Sequence, residues 1–195
     1  MGYIGCDFDK TAYGGNSAID FFLFCMKSGG GLRWFALKHL GNYLLYLLGL
    51  RDFHQITEKF YRFLPKLEDI DRLVEEFWNA HMQKLRQWFL SLDMSKVVIL
   101  TASCGFLLES LQKRLGFHHL IATRVDKQTG CVTGQTNIRE EKLLRFQQEC
   151  EGQLDEFYSD SKKDAPLAAR ARRAFRVKKE RNTPWSFSRG GSEEV

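Results

Sequence analysis

With 195 residues and 44% hydrophobic content, the chain can build one sizeable core with a small insertion, and it is too apolar for global disorder. The net charge is only +5, so no nucleic-acid partner is expected. Five scattered cysteines, Cys6, Cys25, Cys104, Cys131 and Cys150, contain no CxxC and no His-Cys cluster, which argues against a zinc site or a redox pair and for reduced thiols in a cytoplasmic protein.

Tyr3-Ile4-Gly5-Cys6 reads as a buried first strand that ends at Asp7. Asp7 and Asp9 stand two residues apart and would share a face at that strand's C-terminal end, where open α/β sheets bind ligands. Two like charges repel unless a cation or a shared proton relieves them. Taken alone, the pair reads equally well as a solvated turn.

Asn16 or Ser17 is placed to cap a helix that carries Ile19, Phe22, Leu23 and Met26 at helical spacing. Ser28-Gly29-Gly30-Gly31 lacks the Gly-Lys-Ser/Thr ending of a nucleotide loop and reads as a hinge or linker. Residues 32–50 are strongly apolar, yet the charge-free run Leu40 to Leu50 is too short to span a bilayer. A helix buried on several sides is expected there, with contact to lipid or a partner as the alternative. Helical spacing continues through Ile56, Phe60 and Phe63 to Pro65, then from Ile70 to Phe89. Residues 21–89 therefore read as entirely helical.

Val97-Val98-Ile99-Leu100 begins an alternation of strand and helix. A helix is expected from Cys104 to Leu115, closed by Gly116. Next come a short strand at Leu120-Ile121-Ala122, a hairpin from Arg124 to Val132, and an amphipathic helix from Arg139 to Cys150. Glu156-Phe157-Tyr158 leads into Ser159-Asp160-Ser161; a helix over Ala165 to Ala174 and a final strand, Phe175-Arg176-Val177, follow. Eight Lys/Arg against one acid, Glu180, lie between Arg170 and Arg189, which favours an anionic membrane surface or a solvated face. The end of the chain is Ser/Gly-rich and reads as loose. No signal peptide is visible, and no cysteine has an arginine six positions later, which argues against a thiolate phosphatase loop.

Leu100-Thr101-Ala102-Ser103 marks a strand giving way to a helix, a place where hydroxyls and free N–H groups can hold a phosphate or simply cap the helix. Lys142, near a helix start, reads alone as a solvated lysine. Asp160 and Asp164 are four apart after a strand, on one side of any helical turn. The order is more specific than any one of these signals: strand-Asp7-Phe8-Asp9-Lys10-Thr11, strand-Thr101, Lys142, strand-Asp160-x-x-x-Asp164.

In that order the chain resembles the haloacid-dehalogenase-like phosphatases over residues 2–179, with a helical insert like that of the phosphoserine-phosphatase-like subclass. The resemblance implies an α/β fold, a Rossmann-like parallel sheet flanked by helices with an inserted all-helical cap. Residues 1–13 and 92–180 would be the catalytic core, 14–91 the cap, and 181–195 a loose tail. The cap would close over Asp7 on linkers near Tyr13-Gly14-Gly15 and Ser91-Leu92-Asp93. The resemblance further implies a Mg²⁺-dependent phosphomonoester hydrolase. Asp7 would be the nucleophile and would form an aspartyl-phosphate; Asp9 would be the general acid and base. Thr101 and Lys142 would stabilise the transferring group, while Thr11, Thr101, Ala102 and Lys142 would contact the substrate. Mg²⁺ would be held by Asp7, the Asp9 carbonyl and Asp160, with Asp164 supporting the metal site. A small phosphorylated metabolite is the expected substrate. A lipid phosphate such as phosphatidylglycerophosphate is the alternative, and a non-catalytic phosphate-binding module is disfavoured by the acid/base Asp9. A haloacid dehalogenase is disfavoured too, because such relatives generally lack the second aspartate. Two departures separate the chain from phosphoserine-specific relatives. Asn16 stands where they carry an acid, with Asp20 one turn on, and the insert holds no match to their carboxylate-binding arginine.

Overall fold

In the computed structural model, residues 2–28 and 52–186 are described; the apolar segment 32–50 lies outside them. The described strands form one six-stranded sheet. Its strands are β1 (Gly2–Cys6), β2 (Val97–Cys104), β3 (His119–Thr123), β4 (Gln153–Ser159), β5 (Arg173–Lys178) and β6 (Arg181–Pro184). The spatial order is β3-β2-β1-β4-β5-β6; β1 to β5 pair in parallel and only β6 is antiparallel. Chain order reverses at β1, so β2 and β4 flank it, and a crevice opens at its carboxyl end, where Asp7 follows.

The continuous apolar run of β2 reflects burial on both faces. Val97 and Ile99 join one hydrophobic cluster with Cys6, Leu107 and Leu111. Val98 and Leu100 join the other, with Phe146, Leu154 and Phe157. Helices α1 (Ser17–Ser28), α2 (Phe53–Phe60), α3 (Ile70–His81), α4 (Gln87–Leu90) and α5 (Gly105–Leu115) precede β3; α6 (Glu140–Glu149) and α7 (Ala165–Ala168) follow it. Gly116 closes α5 at φ 70°, a left-handed position that suits glycine.

Between α1 and β2 the described residues are helical, with short 3₁₀ turns at Tyr61–Lys66, Met82–Lys84 and Met94–Lys96. Pro65 lies inside the first of these turns rather than beyond the helix. Where chain leaves and re-enters the sheet domain, the two passages pair: Gly14 N–H donates to the Lys84 carbonyl, and Arg86 N–H donates to the Ala12 carbonyl. The helical unit also shares its core with the sheet. Trp78 of α3 packs edge-on against Phe8 and Tyr13, and its indole N–H donates to the Leu107 carbonyl at 2.7 Å. The loop between β3 and α6 docks on the same unit. A Cβ at Gly130 would lie 2.2 Å from the Tyr61 carbonyl oxygen, so only glycine allows this approach.

Two expectations fail at the C-terminal end. The helix expected over Ala165 to Ala174 stops at Ala168, because Arg173 onward pairs with β4 from Glu156 to Ser159. The supposedly loose tail begins with β6, whose four residues are exposed and held by the ladder to β5.

Candidate active site

The site gathers at the carboxyl ends of β1, β2 and β4. Asp7 N–H continues the β1–β4 ladder by donating to the Tyr158 carbonyl, which fixes the Asp7 backbone. Its carboxylate is buried; Lys142 Nζ donates to Oδ1 at 2.7 Å and Thr11 Oγ1 to Oδ2 at 3.1 Å. Lys142 reaches inward from the first turn of α6 and also donates to Asp164 Oδ2 at 3.0 Å. Ser159 Oγ donates to that same Asp164 oxygen at 2.7 Å. Lys142 and Asp164 are buried almost completely, so neither is a solvated residue. Burial drives the lysine towards its neutral form, but the two aspartates more than reverse that and hold its pKa above the ordinary value.

One ammonium does not fully offset two buried carboxylates. Burial pushes Asp7 up to about 7, with Lys142 opposing and Asp164 and Asp160 reinforcing. Asp160 is also raised, chiefly by burial, with Lys10 lowering it. Its N–H donates to Thr11 Oγ1 at 2.9 Å, which ties Asp160 to the loop that holds Asp7.

Asp9 turns away from Lys142. Its Oδ2 accepts from Ser103 Oγ at 2.5 Å, and its Oδ1 accepts from the N–H of Ser17, the first residue of α1. Burial raises its pKa and these two bonds pull it back. Asn16 is the cap of α1, with Oδ1 accepting from Ile19 N–H, while Asp20 is occupied by Tyr13 and Lys84. Neither offers a free carboxylate to a substrate amine.

Thr101 lies where β2 parts from β3; the register shifts between Leu100 and Cys104. Its carbonyl accepts from Asn137 Nδ2 at 2.9 Å, the Ala102 carbonyl accepts from Thr123 Oγ1, and Thr101 Oγ1 accepts from Ser103 N–H. Thr101, Ala102, Asp7, Asp9, Lys142, Asp160 and Asp164 all line one cavity of about 530 Å³, whereas Thr11 stands behind it, joining Asp7 to Asp160. Every expected site residue is therefore in or against the cavity. Ser159 and Asn137 are partners for which sequence reasoning assigned no role, and Ser103, read there only as part of a phosphate-holding or helix-capping turn, donates to Asp9. Ser103 and Asp9 are 94 residues apart in sequence, so only the fold joins them.

The donor set suits a hard divalent cation. Among the described residues no group of three His, Cys, Asp or Glu side chains converges as a ligand set. Mg²⁺ does not require one, because it binds through one or two carboxylates and keeps water and phosphate oxygens for the rest. Asp7 and Asp160 both line the cavity and could serve as such a pair; burial is the main cause that raises both pKa values. Asp9 and Asp164 commit their carboxylates to other donors, so Asp9 could contribute through its carbonyl and Asp164 only as support.

A family model of the haloacid dehalogenase-like hydrolases matches residues 4–169. No curated protein matches the chain. Among solved structures, a protein of unknown function from Bordetella pertussis Tohama I is similar with a TM-score of 0.73 at 21% identity, covering 88% of this chain and 87% of that one. A phosphoserine phosphohydrolase-like protein from Francisella tularensis subsp. tularensis SCHU S4 gives a TM-score of 0.56 at 18% identity, covering 89% and 86%. A probable phosphoserine phosphatase from Vibrio cholerae gives 0.64 at 18% identity; the match covers 89% of this chain and 55% of that protein. At these identities the likeness is one of fold.

Proposed function

The chain belongs to the haloacid dehalogenase-like hydrolases, and from that premise we propose that it is a Mg²⁺-dependent phosphomonoester hydrolase working through a phosphoryl group carried on Asp7. The observation that carries this reading is the contrast between two carboxyls on one cavity. Asp7 is ion-paired with Lys142, while Asp9 makes no ion pair with another described residue and accepts from the Ser103 hydroxyl and the Ser17 N–H. The first is equipped to be a nucleophile, the second to carry a proton.

In the first half-reaction an Asp7 carboxylate oxygen bonds to phosphorus and the ester P–O bond breaks. Asp9 delivers its proton to the leaving oxygen, so an alcohol departs. In the second, Asp9 takes a proton from water, the water oxygen bonds to phosphorus, and the acyl-phosphate bond breaks. Asp7 and inorganic phosphate result. Lys142 holds Asp7 in line and offsets charge on the transferring group. Ser103 and the first N–H of α1 fix the Asp9 carboxyl. Thr101 lines the cavity beside them as a hydroxyl donor for a phosphoryl oxygen. Asp7, Asp160 and the Asp9 carbonyl would hold the Mg²⁺, which when bound neutralises the repulsion between the phosphate and these carboxylates.

A cavity of about 530 Å³ fits a small phosphorylated molecule. We assign the cap to the helical stretch between Gly14 and Lys84, with its boundary at the paired passages. No helix among the described residues is long and apolar enough to cross a membrane. The test is phosphate release from an aryl phosphate with and without chelator. Turnover that needs Mg²⁺, and an Asp160→Ala variant that needs much more of it, is the expected result. Full activity in excess chelator would refute the metal assignment.

A further inference from the structure

The cavity has an acidic floor and a basic rim. Lys142 on the floor is consumed by Asp7 and Asp164. At the mouth stand Lys10, Arg139 and Lys163, against one acid, Asp52, whose Oδ1 already caps α2. Arg139 and Lys163 are exposed, and neither side chain makes a hydrogen bond or ion pair with another described residue. Neither contributes to holding the fold, so the charges are available to something in the cavity.

Arg139 has a second peculiarity. Its φ of 50° with ψ of −123° is a conformation that non-glycine residues rarely adopt. Among the described residues only Lys10, Arg139 and Lys179 have positive φ outside glycine, and two of these three line this cavity. Such conformations are strained and persist where the surroundings demand them, often at ligand sites. At position 139 the backbone turn immediately precedes the helix that delivers Lys142, so it sets a guanidinium at the rim above the ammonium at the floor.

Resting on the phosphatase reading above, we propose that the leaving group of the substrate carries a second anionic group, a carboxylate or a second phosphate, bound by Arg139 and Lys163. The planar guanidinium pairs two oxygens of either anion, and Lys163 adds a point charge. The floor would take the scissile phosphoryl group and the rim the other anion. Asn16 and the engaged Asp20 offer no matching carboxylate for an ammonium, so a zwitterionic leaving group gains from the rim but loses on its amine side.

The experiment compares kcat/KM for glycerol 3-phosphate with 3-phosphoglycerate, in which a carboxylate replaces the terminal hydroxymethyl group, and with glycerol 1,3-bisphosphate, in which a second phosphate esterifies that hydroxyl. O-phosphoserine tests the amine. Wild type should prefer at least one of the doubly anionic substrates over glycerol 3-phosphate by roughly tenfold, about 1.4 kcal/mol, mainly through KM. The preferred member identifies the second anion. In Arg139→Gln that preference should shrink about tenfold. Arg139→Lys should recover part of it, and Lys163→Gln should lower it independently. A preference that stays constant in both neutral variants, or none in wild type, overturns the assignment. If wild type hydrolyses no phosphomonoester at all, the phosphatase reading fails first. If aryl phosphate turnover is Mg²⁺-dependent while the rim variants change nothing selectively, only the rim assignment fails.

Discussion

Trp78 joins the helical unit to the sheet domain, so replacing it should destabilise both together. The side chain is fully buried, meets the rings of Phe8, Tyr13 and Phe77, and gives its one N–H to the Leu107 carbonyl. Trp78→Ala removes that bond and leaves a cavity among aromatics that are themselves buried; a loss of about 3–5 kcal/mol is expected. Trp78→Phe keeps most of the apolar filling. Its cost should be about 2 kcal/mol, of which about 1 is the hydrogen bond and the rest the smaller ring. With a urea slope of about 2 kcal/mol per molar, the alanine variant should melt about 2 M earlier with the slope unchanged. Phe8 lies between Asp7 and Asp9, so turnover should fall in the alanine variant even below its unfolding midpoint. A loss under about 1 kcal/mol, or a separate early transition of the helical unit, would refute a shared core. It would instead favour a cap free to swing as one body.

Asp9→Asn should lose roughly 10²–10⁴-fold in rate, and less with an activated aryl phosphate than with an alkyl phosphate; equal losses would count against proton delivery. In metal-free protein Asp7 lies above its ordinary 3.8, at about 7, because it is buried. Its folded pKa exceeds its unfolded one, so folding is favoured at low pH and this contribution fades as pH rises through that window. The stability of wild type minus that of Asp7→Asn in chelator should therefore fall between about pH 4 and pH 7, and a flat difference would contradict it.

Much of the sheet was legible because its strands are short apolar runs flanked by chemistry. Val97 to Leu100 is buried on both faces and therefore reads as unbroken hydrophobicity. The ends of elements were less legible. Ala165 to Ala174 has helical composition, yet pairing of Arg173–Arg176 with β4 overrides it. Arg181–Pro184 has no buried face, so no alternation announces it, and only hydrogen bonds to β5 make it a strand. At the site, Asp7, Asp9, Lys142, Asp160 and Asp164 were legible from their order along the chain. The resemblance implied a division of labour among them; what the sequence did not show is which side chains hold each one in place, because pairing such as Ser103 with Asp9 is made only by the fold. Ser103 donates to Asp9, while Ser159 and Lys142 both donate to Asp164 Oδ2. The rim was invisible for a different reason: the unusual φ of Arg139 belongs to the backbone, and nothing in its neighbours spells it out.

The central claim is a phosphoryl group on Asp7. Wild type mixed with Mg²⁺ and a ³²P-labelled phosphomonoester, then quenched in acid within the first turnover, should retain label that is lost to hydroxylamine, as an acyl phosphate is. Peptide mapping should place it at Asp7, and Asp7→Asn should retain none. Label on a histidine or serine, or phosphate release at the wild-type rate from Asp7→Asn, would contradict the account.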